Sequence, residues 1–426
     1  MRIAQVAPLY ESVPPKLYGG TERIVSYLTE ELVRLGHEVT LFASGDSETS
    51  AKLVPACPRA LWADGDCREP LPHHVRLMEL VFQDVSRFDI LHFHCDYLHF
   101  PLLRRHPCPS VTTLHGRIHF PDLGPLFAEY PDVPLVSISD NQRLPIPDAN
   151  WQATVYHGLP RGLYTCRGQS GDYLAFLGRM SPEKRVDRAI EIARLAKMRL
   201  KIAAKIYPEE RAYFQDCIEP LLRQSRAWVE YIGEVGGREK DAFLGNARAL
   251  LFPIDWPEPF GLVMIEAMAY GTPVIAWRNG SVPEVITDGV TGFIVDSIEE
   301  AVRAVGRVAS LNRRVCRQVF EERFDAARMV SDYVEVYRQL IHRGSEGLEY
   351  APPVSVRTPR PRGHVVVADK EVVPRVALIG SMAGPGLDNW CSDSEVRDSM
   401  TTRPADAKSQ SWAGHPRRFQ PTTKPR

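Results

Sequence analysis

Apolar positions along this chain fall into short, nearly solid runs, separated by stretches in which they recur every three or four residues. "RIAQVA" is the first such run. After the loop "YESVPPKLYGG", the stretch "TERIVSYLTEELVRLG" carries Ile24, Leu28, Leu32 and Leu35 at the spacing of one helix face. Thr21 is placed to cap that helix and Gly36 to end it, and "HEVTLFA" resumes as a strand. The pattern predicts a strand, helix, strand unit at the start of the chain. The later runs "FDILHFH", "SVTTLHG" and "PLVSIS" are apolar almost throughout, which suits a parallel sheet covered by helices on both faces.

The same grammar restarts near residue 171. "DYLAFLGRM" reads as a strand, Ser181-Pro182 as an N-cap and first helical position, and "KRVDRAIEIARLA" as a helix. "LKIAAKI", "VEYIG", "ALLFP", "TPVIAW" and "TGFIVD" then supply strands separated by helical segments. The expected fold is α/β: two Rossmann-like doubly wound domains, 1–165 and 166–345, facing a cleft and joined near "YHGLPRGLYTCRGQSGD". From about Glu349 the chain turns rich in proline and arginine and poor in aliphatics. Residues 346–426 are therefore expected to be a disordered tail, because such a composition cannot offset its ordering entropy. The apolar patch "VVPRVALIG" inside it reads either as a short interaction segment or as a local hydrophobic run.

Composition narrows the class without changing the fold. The 426 residues suit two large domains, and 44% hydrophobic with 25% charged residues is a globular balance. A formal net charge of -1 offers no electrostatic reason to expect nucleic acid or an anionic membrane as partner. Eight scattered cysteines without a CxxC pair argue against a disulfide framework or a structural zinc. No signal-like segment and no apolar stretch of about 18 residues occurs, so a cytoplasmic protein without an integral membrane segment is expected.

Candidate chemistry concentrates in "DWPEPFGLVMIEAMAYG", Asp255 to Gly271. A strand enters a proline-stiffened loop, Gly261 allows close approach, and "LVMIEAMAY" is a strong helix former that Gly271 ends. The N-H groups of that first helical turn form an anion site suited to phosphate. Glu258 before the helix can accept hydroxyls of a sugar carried on the phosphate, and Glu266 can hold a ribose diol on the other side. Standing alone, the pair also reads as a loop acid and a solvated helix acid. In "FLGRMSPEKRVD", Arg179 at a strand end and Lys184 at a helix start place two cations at a cleft rim. They fit a diphosphate, or equally surface charges flanking a capped helix. His92, His94 and Asp96 alternate in "HFHCDYLHF" and can share a strand face, where a metal site, acceptor contacts by His94 or Asp96, and structural roles all fit.

Together "YGGTERIV", "LGRMSPEK", "EPFGLVMIEAMAYGTPVIA" and "GSVPEVITDGVTGFIV" resemble the retaining GT-B glycosyltransferases of family 4 (glycosyl transferases group 1), over residues 1 to about 345. The resemblance implies a donor bound mainly by the second domain and an acceptor mainly by the first. It implies that Arg179 and Lys184 bind the diphosphate, Glu258 the sugar and Glu266 the ribose. Backbone N-H groups at Phe260, Gly261 and Leu262 would meet the sugar or phosphates, and Ile232 and Val235 in "YIGEV" would flank the base. It further implies that Gly19 and Gly20 belong to a loop closing on phosphate and acceptor, and that His115 in "TLHG" lies near the donor sugar. This fold class generally works without a bound metal, so none is expected, and no cofactor beyond a nucleoside-diphosphate sugar.

Two positions depart from the family pattern. Arg185 stands where a glycine is common, which would alter the turn or add a third cation, and His157-Gly158 replaces an Asn-Gly pair at the joint. The implied activity is hexosyl transfer with retained anomeric configuration, by front-face attack with the departing phosphate as base. The alternatives are a nucleotide-sugar epimerase of the same fold and a catalytically silent sugar-nucleotide binder. No strand is followed by GxGxxG, which disfavours an oxidoreductase. Donor base, donor sugar and acceptor, whether small molecule, glycan or lipid, are not readable from the sequence.

Overall fold

The computed structural model describes residues 1–345 apart from Tyr18, Asp64 and Asp66. The expectations for 346–426, including "VVPRVALIG", lie outside the described residues. Among the described residues, thirteen strands form two parallel sheets. The first holds β1 (Arg2–Val6), β2 (Glu38–Ser44), β3 (Lys52–Cys57), β4 (Ile90–Phe93), β5 (Ser110–Thr113), β6 (Leu135–Ser137) and β7 (Trp151–Thr154), in the order β3-β2-β1-β4-β5-β6-β7. The second holds β8 (Tyr173–Arg179), β9 (Arg199–Lys205), β10 (Val229–Gly233), β11 (Ala249–Phe252), β12 (Val274–Trp277) and β13 (Gly292–Val295), in the order β10-β9-β8-β11-β12-β13. Both sheets are doubly wound with the same winding. Their strand order reverses between β1 and β4 in one and between β8 and β11 in the other, and ligands of such sheets sit beyond the strand ends at this reversal.

The first helix, Gly20–Arg34, buries Ile24, Leu28 and Leu32 completely, worth roughly 1.5–3 kcal/mol each. Two details differ from the sequence reading. The helix begins at Gly20 with Gly19 at the cap, so Thr21 does not cap it, and Leu35 is 48% exposed. Leu35 belongs to the helix end: Gly36 takes φ 83°, its N-H reaches Val33 O at 2.9 Å, and His37 N-H reaches Leu32 O at 3.1 Å, which is a Schellman stop.

The chain crosses between lobes twice in one place, where Leu159 N-H donates to Phe324 O at 2.9 Å and Ala326 N-H to Leu159 O at 3.1 Å. The closing helix, Ala326–Ser345, then packs against the first helix and β5. A division at residue 165 assigns this helix to the second domain. Its buried Tyr333 and Tyr337 instead bond Thr113, His92 and Gln5 of the first sheet, so the chain returns to its starting lobe.

Candidate active site

One cavity of about 470 Å³ lies between the two strand reversals, within the range of sites that enclose a small ligand. Gly19, Gly20, His94, Asp96 and His115 line it from the first lobe. Arg179, Lys184, Val235, Glu258, Phe260, Gly261, Leu262 and Glu266 line it from the second. Ile232 does not: it sits within β10, partly buried against the core, whereas Val235 lies in the loop past the strand end, where the cavity opens.

Loop 253–261 owes its shape to two glycines and a serine. Gly261 caps the helix Leu262–Ala269 at φ 79°, where an added Cβ would come 2.8 Å from Met264 Cε and 3.1 Å from Phe252 Cζ. Gly280, at φ 58°, lies so close to the backbone of Glu258 that any Cβ would overlap it. Ser281 then ties the loop twice, its N-H to Glu258 O at 3.0 Å and its Oγ-H to Phe260 O at 2.7 Å. Glu258 is thus fixed by residues some twenty positions downstream, and the first turn of the helix faces the cavity with its positive dipole end.

Each carboxylate holds a lysine. Glu258 uses one oxygen on Lys184, both side chains 12% exposed, and the Lys184 ammonium also stands 4.8 Å from the Trp256 ring centroid. Glu266, 5% exposed, uses one oxygen on Lys240 of the helix Gly237–Gly245, a residue not singled out from the sequence. Arg23 of the first helix lies close enough to feel Glu266: burial acts to lower its pKa, and the charge of Glu266 with Tyr27 outweighs it. Arg179 pairs with Glu183 at 2.8 Å and Glu210 at 3.3 Å, and Glu183 also pairs with Arg117 of the opposite lobe at 3.0 Å. Five cations, Arg23, Arg179, Lys184, Lys205 and Lys240, therefore line one cavity with a helix N-terminus.

Arg185 adds no further charge to the cavity. Pro182–Lys184 forms a single tight turn, and Arg185 adopts φ 53°, the left-handed conformation that a glycine would take without cost. Its guanidinium bonds Asp187 at 2.7 Å and Asp255 at 2.8 Å. The turn is kept, and the third cation of the sequence expectation is spent on the loop that carries Glu258.

The histidines form a directed chain. Gln5 Nε2 donates to the Tyr337 hydroxyl at 3.1 Å, so its Oε1 accepts from His94 Nε2-H at 2.8 Å. Neutral His94 is left with a bare Nδ1, which accepts from His115 Nε2-H at 2.8 Å. Burial lowers the pKa of His115 to about 3, so the ring is neutral with its Nδ1 unprotonated, and no protein group bonds that nitrogen. His157 stacks on His115 at 5.2 Å and meets Phe260 edge-on at 4.9 Å, so the altered joint becomes an aromatic bridge between the lobes. His92 shares the face of His94, their centroids 4.0 Å apart, but bonds Tyr337 and Thr113 in the core and does not line the cavity. Among the described residues no cluster of metal-ligating side chains occurs.

Besides Lys240, sequence reasoning missed Glu22, Arg23, Tyr10 and Trp62 in the lining. Glu22 and Arg23 adjoin the glycine pair in "GGTER", a signal that could have found them. Nothing in the sequence marks Trp62.

The chain resembles known proteins in sequence and in fold. Residues 168–319 match the family described as Glycosyl transferases group 1, and residues 18–141 match Glycosyltransferase Family 4. An uncharacterized 41.2 kDa protein in the cps region of Klebsiella pneumoniae is 32% identical over 172 residues, 39% of this chain and 46% of that one, so the match spans about half of that relative. The phosphatidyl-myo-inositol mannosyltransferase of Mycobacterium tuberculosis is 24% identical over 81% of this chain and 99% of its own length. Among solved structures, AviGT4, a glycosyltransferase involved in avilamycin A biosynthesis, superposes with a TM-score of 0.62 at 25% identity, covering 80% of this chain and 98% of that one. No helix among the described residues is long and apolar enough to cross a membrane.

Proposed function

The chain belongs to the Glycosyl transferases group 1, built on the GT-B fold, and on that premise we propose that it moves a glycosyl group from a nucleoside-diphosphate sugar to an acceptor hydroxyl with retention of anomeric configuration. The observation that carries this reading is the convergence of Arg179, Lys184 and the Leu262 helix terminus on one cavity that also holds Glu258 and Glu266.

In this reading the diphosphate lies against the helix terminus, Arg179 and Lys184. Glu266 accepts the ribose hydroxyls with the oxygen that Lys240 does not take, and Val235 borders the base. Glu258 accepts donor-sugar hydroxyls in the same way beside Lys184, while His115 offers its Nδ1 lone pair to another. The carbon-oxygen bond to phosphate breaks with its electron pair going to the leaving diphosphate. The acceptor oxygen bonds the anomeric carbon on the same face, and its proton passes to the departing phosphate oxygen. Charge growing on that phosphate meets cations already in place, which is the largest catalytic term such a site supplies. The reading calls for no covalent nucleophile and no cofactor beyond the donor.

The test is calorimetry of the purified chain against uridine, guanosine, adenosine and thymidine diphosphates and their sugar conjugates, with Glu266→Ala as control. One diphosphate is expected to bind the parent and to bind the variant more weakly. Binding of none by the folded protein would refute the donor assignment.

A further inference from the structure

The donor reading leaves part of the cavity unused. Tyr10, in the loop after β1, and Trp62, after β3, line it from the first lobe with Asp96, in the loop after β4. The Tyr10 and Trp62 rings stand 5.0 Å apart at 34°. Trp62 is 54% exposed, whereas the other four described tryptophans are buried or half-buried. An indole held at a cavity wall with its surface open to solvent offers an apolar face to something flat. Asp96 is exposed, a non-glycine residue at φ 51°, a conformation uncommon outside Asn, Asp and Gly. Its charge is felt by Tyr10, whose hydroxyl stays protonated because burial, then Asp96, raises its pKa.

Position ties this group to the reacting bond. The other neighbour of Trp62 is Tyr207 of the second lobe, edge-on at 5.8 Å, and the Arg179 guanidinium lies 6.0 Å from the Tyr207 ring centroid. The platform therefore stands one side chain away from the cation assigned to the leaving phosphate. A same-face transfer needs its acceptor hydroxyl on that side.

We propose that Trp62, Tyr10 and Asp96 form the acceptor subsite and that the acceptor is a carbohydrate, one sugar ring stacked on Trp62 with its hydroxyls on Asp96 and the Tyr10 hydroxyl. A pyranose has an apolar C-H face for the indole and a polar rim for an acceptor-only carboxylate. An acyl chain would find apolar area on Trp62 but would strand Asp96 and Glu22 against hydrocarbon. The proposal rests on the donor reading, since it places the ring by its distance from the leaving phosphate. The reaction is balanced as above: the acceptor O-H loses its proton to phosphate as its oxygen bonds the anomeric carbon.

The test is saturation-transfer NMR of the full chain, first saturated with the diphosphate that binds best, against glucose, mannose, galactose, N-acetylglucosamine and their octyl glycosides. Phosphatidylinositol vesicles serve as the lipid probe. At least one saccharide is expected to bind with the strongest transfer at ring C-H protons. Trp62→Ala should weaken it roughly tenfold and Asp96→Asn by a comparable factor. Diphosphate affinity in both variants should stay within about twofold of the parent, which shows the fold and donor site intact. Saccharide binding that survives Trp62→Ala overturns the subsite, and vesicle binding with no saccharide signal overturns the carbohydrate class. Failure of every diphosphate to bind the parent is a separate result, which removes the donor reading and the subsite with it.

Discussion

Glu22 makes the site sensitive to pH. It sits in the first turn of the helix after Gly19-Gly20, 5% exposed, and burial raises its pKa from 4.5 to about 7, its own backbone N-H and Arg23 opposing and the charge of Glu11 adding. A carboxyl group with a raised folded-state pKa favours the neutral acid. Its contribution to stability is whole below pH 4.5 and is lost as pH rises through about 7. At about 1.4 kcal/mol per pH unit, that interval is worth about 3 kcal/mol, of which about 2 kcal/mol falls between about pH 5.5 and about pH 8.5. Glu22→Gln keeps the shape and removes the titration. Urea unfolding across that range should show the stability of the variant, relative to the parent, rising by about 2 kcal/mol towards alkaline pH. A difference that is flat with pH would refute the account, because packing changes alone carry no proton. A neutral acid at this wall also spares an anionic ligand a like charge beside the diphosphate rim.

Three further outcomes are expected. Lys184→Ala and Arg179→Ala should each lower kcat at least about a hundredfold with the circular dichroism spectrum unchanged, and near-normal turnover in either would remove its role at the leaving phosphate. Glu266→Ala should weaken the nucleoside diphosphate roughly tenfold by calorimetry, and an unchanged Kd would deny it the ribose. The His115 ring should show an unprotonated Nδ1 by nitrogen-15 NMR throughout about pH 5 to pH 9, since burial holds its pKa at about 3; a titration in that window would break the Gln5-His94-His115 chain.

What could be read in the sequence was whatever has a local period. The solid apolar runs became strands, the edge strands β10 and β13 among them, while β3 and β7 escaped notice: β3 is interrupted by Pro55, which an edge tolerates, and β7 is four residues long with Gln152 and Thr154 between its apolar positions. The glutamates, Arg179 and Lys184 stood out because they share short motifs with a glycine and a helix start. Lys240 and Trp62 carry no such mark: Lys240 joins the site by pairing with Glu266 from a neighbouring helix of the second lobe, and the loop of Trp62 joins it where the first lobe faces the second. The return of the closing helix to the first lobe was equally hidden, since amphipathic spacing says which face is buried and not against which sheet.

Arg185 shows how a departure from a motif is absorbed. A residue other than glycine at φ 53° costs of order 1 kcal/mol of backbone strain, so something must hold it there. The guanidinium supplies the hold: its bonds to Asp187 and Asp255 join the turn that presents Lys184 to the loop that presents Glu258. Asp255 also accepts Arg188 at 3.1 Å, and its N-H donates to Glu183 O at 2.9 Å. The substitution thus exchanges backbone freedom for a cross-link between the two segments whose side chains pair across the cavity.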